Sequence, residues 1–76
     1  MVIAYILITS KSGGEKNVLE SLQKLEEIAE AKIVYGEYDI IAKIQTGDVD
    51  KLNDFLLEKI RQISDIEKTS TLIVAA

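Results

Sequence analysis

Apolar positions in this chain form two helical stripes set between four short runs of β-branched and aliphatic residues. Val2 to Thr9 is one such run, and Ser10-Lys11-Ser12-Gly13-Gly14 follows it, so the pattern predicts a strand ending in a loop. Ser12 and Glu15 have the spacing at which each side chain satisfies a backbone N–H at a helix start. Val18, Leu22, Leu25 and Ile28 then recur at helical spacing, with Leu19 widening the stripe and Lys16, Glu20, Lys24 and Glu27 opposite it. A first helix ending near Ile28 is predicted. Ala31 to Tyr35 and Asp39 to Thr46 read as two strands, and the short Gly36-Glu37-Tyr38 connection forces them antiparallel. Thr46-Gly47-Asp48 closes the second of these and caps another helix, whose stripe is Val49, Leu52, Phe55, Leu56, Ile60 and Ile63. Lys68 to Ala75 is the last strand.

The order is β-α-β-β-α-β, an approximate repeat of a βαβ unit. Right-handed crossovers fold such an order into an α+β, ferredoxin-like sandwich (an αβ plait), a four-stranded antiparallel sheet with both helices on one face. No linker or low-complexity stretch interrupts residues 1–76, so a single domain is expected.

The uncovered face of that sheet is informative. If it met water, every strand would alternate between apolar and polar residues. The first strand is apolar on both sides. In the third, Ile40, Ala42 and Ile44 share one face, while Asp39, Ile41, Lys43 and Gln45 share a mixed one. In the last, Leu72 and Val74 lie on one face and Thr69, Thr71 and Ile73 on the other. Burial of a central strand by its neighbours explains the first strand alone. A half-apolar open face carrying Thr, Tyr and one Lys is expected to pack against a second copy of the chain.

Composition supports that expectation. Domains this small gain stability from disulfides, a metal or self-association. The 76 residues contain neither cysteine nor histidine. Disulfides are therefore excluded, no zinc site or other metal is expected, and self-association remains. The formal net charge is −4, with nine Lys and Arg scattered among acids, so direct nucleic-acid binding is not expected. Val2 to Ile8 is too short for a membrane span and has no basic flank or cleavage site, so a cytoplasmic protein is expected.

The candidate chemistry is concentrated in Tyr35-Gly36-Glu37-Tyr38-Asp39 and in Thr69-Ser70-Thr71. Gly36 suits any hairpin, and Asp39 suits any turn that needs local N–H acceptors. The same turn, with its amides exposed, can donate to a ligand carboxylate while Asp39 accepts from a ligand amine, and an α-amino acid carries both groups. Thr69 and Thr71 share a strand face, where their hydroxyls bind polar atoms or simply express strand propensity. Gly13-Gly14 beside Lys11 is not a phosphate loop, because no Gly-Lys-Ser/Thr follows. Nothing assembles a nucleophile, base and orienting group, so catalysis is not expected and no cofactor is called for.

Taken with the βαββαβ order, the turn Gly36-Glu37-Tyr38-Asp39, the run Ile40-Ile41-Ala42-Lys43-Ile44, Leu52, Phe55 and Thr69-Ser70-Thr71-Leu72-Ile73-Val74 resemble the effector-binding (RAM) domain of the Lrp/AsnC feast/famine transcription regulators. The resemblance runs from Val2 to Val74. It implies dimers that pack sheet against sheet, rings such as octamers, and amino acids bound in clefts between dimers. Carried onto this sequence, it implies ligand contacts from Gly36, Glu37 and Tyr38, from Asp39, and from Thr69 and Thr71. The chain departs from the family twice: it starts directly at the first strand without a helix-turn-helix, and Asp65-Ile66 stands where the family has Gly-Val. A stand-alone amino-acid-binding module is therefore expected, one that senses amino acids, modulates assembly or associates with a full-length regulator. The competing expectations are an oligomerisation module without ligand, and a small dimeric α/β-barrel enzyme with a pocket lined by Tyr5, Tyr38 and Lys43.

Overall fold

The first strand, β1 (Val2–Ser10), runs through the middle of the molecule and buries its alternate residues Ala4, Ile6, Ile8 and Ser10. The computed structural model describes residues 1–76 and adds α1 (Glu15–Gln23), β2 (Ile28–Ile33), β3 (Ile40–Thr46), α2 (Val49–Glu58), a 3₁₀ turn (Ile60–Gln62) and β4 (Ile66–Ile73). The strands lie in the order β2-β3-β1-β4, and every neighbouring pair is antiparallel. This is the ferredoxin-like plait that the apolar pattern predicts. Ala4, Ile6, Ile8, Ile40, Ala42 and Ile44 meet Val18 and Leu22 of α1 and Leu52 and Phe55 of α2, with Ile60 closing the cluster. Each larger aliphatic side chain buried there contributes about 1.5–3 kcal/mol relative to exposure.

The start of α1 departs from the predicted capping box. Its N-cap is Gly14, which makes no side-chain cap bond. Ser12 instead lies in a turn closed by Gly14 N donating to Lys11 O at 2.8 Å, with Gly13 at φ +79°. Glu15 puts one carboxylate in the first turn, and a second approaches from elsewhere in the chain: Asp65 Oδ2 accepts from the Asn17 side-chain Nδ2 at 3.0 Å. A carboxylate there complements the positive end of the helix. Asp65 also accepts from Lys11 N through its backbone oxygen at 2.7 Å, and it holds φ +71°, a value that favours glycine. A Cβ on Gly14 would lie 2.7 Å from Asp65 Cβ, so the approach of the two segments requires glycine.

The end of α1 departs as well. The helix stops at Gln23, and Leu25 N and Ile28 N donate to Leu22 O and Leu25 O in successive turns. Leu25 and Ile28 still pack on the core, because a turn returns every third residue to the same side much as a helix does. Ile28 opens β2, opposite Ile44, so that strand begins and ends earlier than the predicted Ala31–Tyr35 and leaves Tyr35 fully exposed. The connection to β3 therefore runs from Val34 to Asp39, wider than the predicted three residues. Asp48 caps α2 as predicted, accepting from Lys51 N at 2.8 Å, but Val49 lies outside the buried stripe at 48 % exposure. Likewise β4 starts at Ile66 and ends at Ile73, because Ile66 pairs with Ser10 across a bulge.

Candidate functional site

Gly36 has φ +141° and open space where a Cβ would stand, so the β2–β3 turn is held by backbone conformation and not by packing. Val34 N donates to Asp39 O at 2.8 Å and closes the turn, while the amides of Tyr35, Gly36, Glu37 and Tyr38 enter no backbone bond. Four donors in one exposed turn can meet an anionic group. Asp39 is already engaged: its Oδ2 accepts from Ser10 N at 2.9 Å and Ser10 Oγ at 3.3 Å. Its Oδ1 accepts no hydrogen bond in the chain, so one oxygen is free for a ligand amine.

The two threonines lie elsewhere. Thr69 and Thr71 pair with Ile8 and Ile6, which point into the core, so both hydroxyl-bearing residues lie on the helix-covered side at the β4 edge. There they line a groove of about 470 Å³ between β4 and α2, with Asn53, Leu56, Leu57 and Ile60 on the helical wall and Arg61 at its end. Glu67 and Lys68 border the groove along β4, Lys68 with its side chain toward the open sheet face. None of the four main cavities is lined by both the turn and the threonines. Arg61 and Asn53 were not singled out by the sequence pattern. A basic residue at the end of a helix reads as a partner for the helix dipole, which hides any second role.

The open sheet face carries Ile3, Tyr5, Leu7 and Thr9 from β1, with Ile41, Lys43 and Gln45 beside them from β3. Lys68, Ser70 and Leu72 flank β1 on its other side. Leu72 is 55 % exposed and Val74 is exposed beside it. The threonine of this face is thus Thr9, not Thr69 or Thr71. A shallow depression of about 190 Å³ is lined by Tyr5, Glu30, Lys32, Ile41 and Lys43. Tyr38 is not among them, so the pocket of Tyr5, Tyr38 and Lys43 expected of a barrel enzyme is not assembled within one chain. The Lys32 ammonium bonds Glu30 at 2.7 Å, holding the Glu30 carboxyl below the usual carboxylate range and raising Lys32.

No helix is long and apolar enough to cross a membrane. No cluster of acidic residues has the geometry of a metal site.

Residues 3–76 match the family model of the Lrp/AsnC ligand binding domain. The HTH-type transcriptional regulator FL11 of Pyrococcus abyssi is 41 % identical over 73 residues, which cover 96 % of this chain and 48 % of that protein. The chain thus spans about half the length of the curated relatives it matches. Among solved structures, FFRP-DM1 superposes with a TM-score of 0.95 at 44 % identity, covering 99 % of this chain and 100 % of that one. The transcriptional regulator NMB0573 of Neisseria meningitidis, solved as a complex with L-Met, superposes with a TM-score of 0.90 at 16 % identity, over 99 % of this chain and 50 % of that one. That last likeness is one of fold.

Proposed function

The chain belongs to the Lrp/AsnC ligand binding domain family, and from that premise we propose that it is a non-catalytic, homo-oligomeric module that binds a free amino acid between subunits. One observation carries this reading. Within a single chain the turn and the threonine groove are kept apart. Ile40 pairs with Ile8 and Ile8 with Thr69, two strand spacings or roughly 10 Å. Between them stands backbone bound from both sides, Ser10 to Asp39 and Lys11 to Asp65. Each half is chemically incomplete. The turn offers free amides and one carboxylate oxygen but no wall, and the groove offers walls and hydroxyls but lies away from the turn.

Assembly supplies the missing half. Sheet-on-sheet dimers cover Ile3, Tyr5, Leu7, Ile41 and Leu72, and further association of dimers into a ring such as an octamer brings a turn of one subunit to the groove of another. The L-Met complex of NMB0573 supports an amino acid as ligand class. That the relatives are transcriptional regulators supports sensing without catalysis, and a shared dimer surface would let this domain associate with a full-length regulator. The test is calorimetric titration of the chain with each of the standard amino acids, with light scattering before and after. Binding of one of them by an oligomer is expected. Silence across the set leaves only a structural oligomerisation role.

A further inference from the structure

The groove between α2 and β4 holds a guanidinium that no carboxylate of the chain pairs with. The formal net charge is −4, yet Arg61 lines this groove beside the single carboxylate of Glu67, while Lys68, paired with Thr9, turns its side chain to the open sheet face. Arg61 is in no ion pair, because the chain's two ion pairs are Lys32–Glu30 and Lys59–Glu27. A guanidinium is planar, permanently charged and shaped to take a carboxylate through two parallel hydrogen bonds. Beside it, Leu56, Leu57 and Ile60 form an apolar strip, and Leu57 is 54 % exposed with nothing over it. Asn53, Thr69 and Thr71 supply neutral hydrogen-bonding groups along the same groove.

Two anion-binding elements therefore exist: the free amides of the turn and the guanidinium of the groove. Resting on the reading that these halves meet across a subunit boundary, we propose that the ligand is an acidic amino acid, its side-chain carboxylate held by Arg61 and its α-carboxylate by the turn amides. The amine meets the free Oδ1 of Asp39, and the methylenes lie on Leu56 and Leu57. Arg61 is then the residue that sets selectivity. An amide side chain has no charge to give the guanidinium, and a branched aliphatic one leaves it desolvated and unpaired.

The test titrates L-glutamate, L-aspartate, L-glutamine, L-leucine and glutarate into the wild-type oligomer and into Arg61→Gln. Charge-assisted hydrogen bonds of this kind are worth a factor of about ten or more in affinity. Glutamate or aspartate is expected to bind at least that much more tightly than glutamine, and Arg61→Gln to abolish the preference without changing oligomer size. Arg61 is exposed, so the variant keeps its fold. Tighter binding of glutamine or leucine, or a preference that survives Arg61→Gln, overturns the inference and leaves amino-acid binding standing. Glutarate binding as tightly as glutamate overturns recognition of the amine. Silence toward every amino acid overturns this inference and the amino-acid reading together.

Discussion

Asp39 holds Ser10 by two hydrogen bonds, from the backbone N at 2.9 Å and from Oγ at 3.3 Å, and so ties the β2–β3 turn to the end of β1. Its own amide donates to Ile8 O at 2.9 Å, completing the junction. The residue that the turn motif offers to a ligand is thus first a clamp between strands. Asp39→Ala leaves the buried Ser10 without its partner and is expected to lower stability by about 1–3 kcal/mol in urea unfolding. Asp39→Asn keeps an acceptor oxygen for Ser10 N and should recover most of that loss. Equal losses in the two variants would mean that the charge, and not the hydrogen-bond geometry, does the work.

Gly14 and Asp65 form a second fitted pair. Gly14→Ala places a Cβ 2.7 Å from Asp65 Cβ, which neither backbone can accept without shifting. Overpacking of this kind costs about 1–3 kcal/mol. Asp65→Gly in the Gly14→Ala background removes the opposing Cβ and relieves the positive φ, so the double variant should be more stable than Gly14→Ala alone. A double variant no more stable than the single one would exclude the steric cause. The same comparison bears on the Asp65-Ile66 step that departs from the family's Gly-Val: here Asp65 trades backbone strain for a carboxylate at the start of α1.

The element order, the core face Ile40-Ala42-Ile44 and the Asp48 cap were legible because each rests on local periodicity or a local hydrogen bond. The boundaries were not. Leu25 and Ile28 return to the core through turns, and their spacing is compatible with a longer helix. The Ser12–Glu15 spacing suits a capping box, but Gly14 takes the N-cap position because Ser12 is held in the preceding turn. For the candidate site, the turn and the threonines were visible as motifs, but the helix-side placement of Thr69 and Thr71 follows from β4 register, which no local pattern specifies. Arg61, on the 3₁₀ turn after α2, joins the threonines only through the groove that this segment borders with β4.

Acid should weaken the tie between the α1–β2 turn and α2. Lys59 Nζ donates to Glu27 Oε2 at 2.8 Å, and that bond holds the Glu27 carboxyl below the usual range against a smaller opposing effect of burial. The same bond raises Lys59. A carboxyl lowered in the folded state stabilises at and above the ordinary carboxylate range and loses that contribution as pH falls through its folded value. A raised ammonium keeps its contribution through neutral pH and loses it only in strong alkali. Lys59→Met is therefore expected to flatten the acid limb of stability, measured by urea midpoints from neutral to acid pH. Lys59 is half-exposed and Glu27 keeps part of its side chain in water, so the effect is small and shrinks further in high salt. An unchanged acid limb would remove the pair as its cause.

Leu72 reports on the open sheet face. At 55 % exposure a lysine there costs a monomer little, but within a sheet–sheet interface it buries an unpaired charge. Leu72→Lys should shift light scattering from an oligomer toward the 8.4 kDa chain while circular dichroism stays unchanged. An oligomer of unaltered mass would place the association surface elsewhere.

A site shared between subunits is tested most directly by mixing two variants that are each defective in one half. Gly36→Val disturbs a turn that needs φ +141°, and Thr71→Val removes a hydroxyl from the groove. Neither variant alone should bind the amino acid that the wild-type chain binds in calorimetry. Unfolded together and refolded as mixed oligomers, they should regain about a quarter of the wild-type sites, because random assembly pairs an intact turn with an intact groove at that frequency across a heterologous contact. Mixed oligomers that remain silent while the wild type binds would put the whole site within one chain and contradict the shared site.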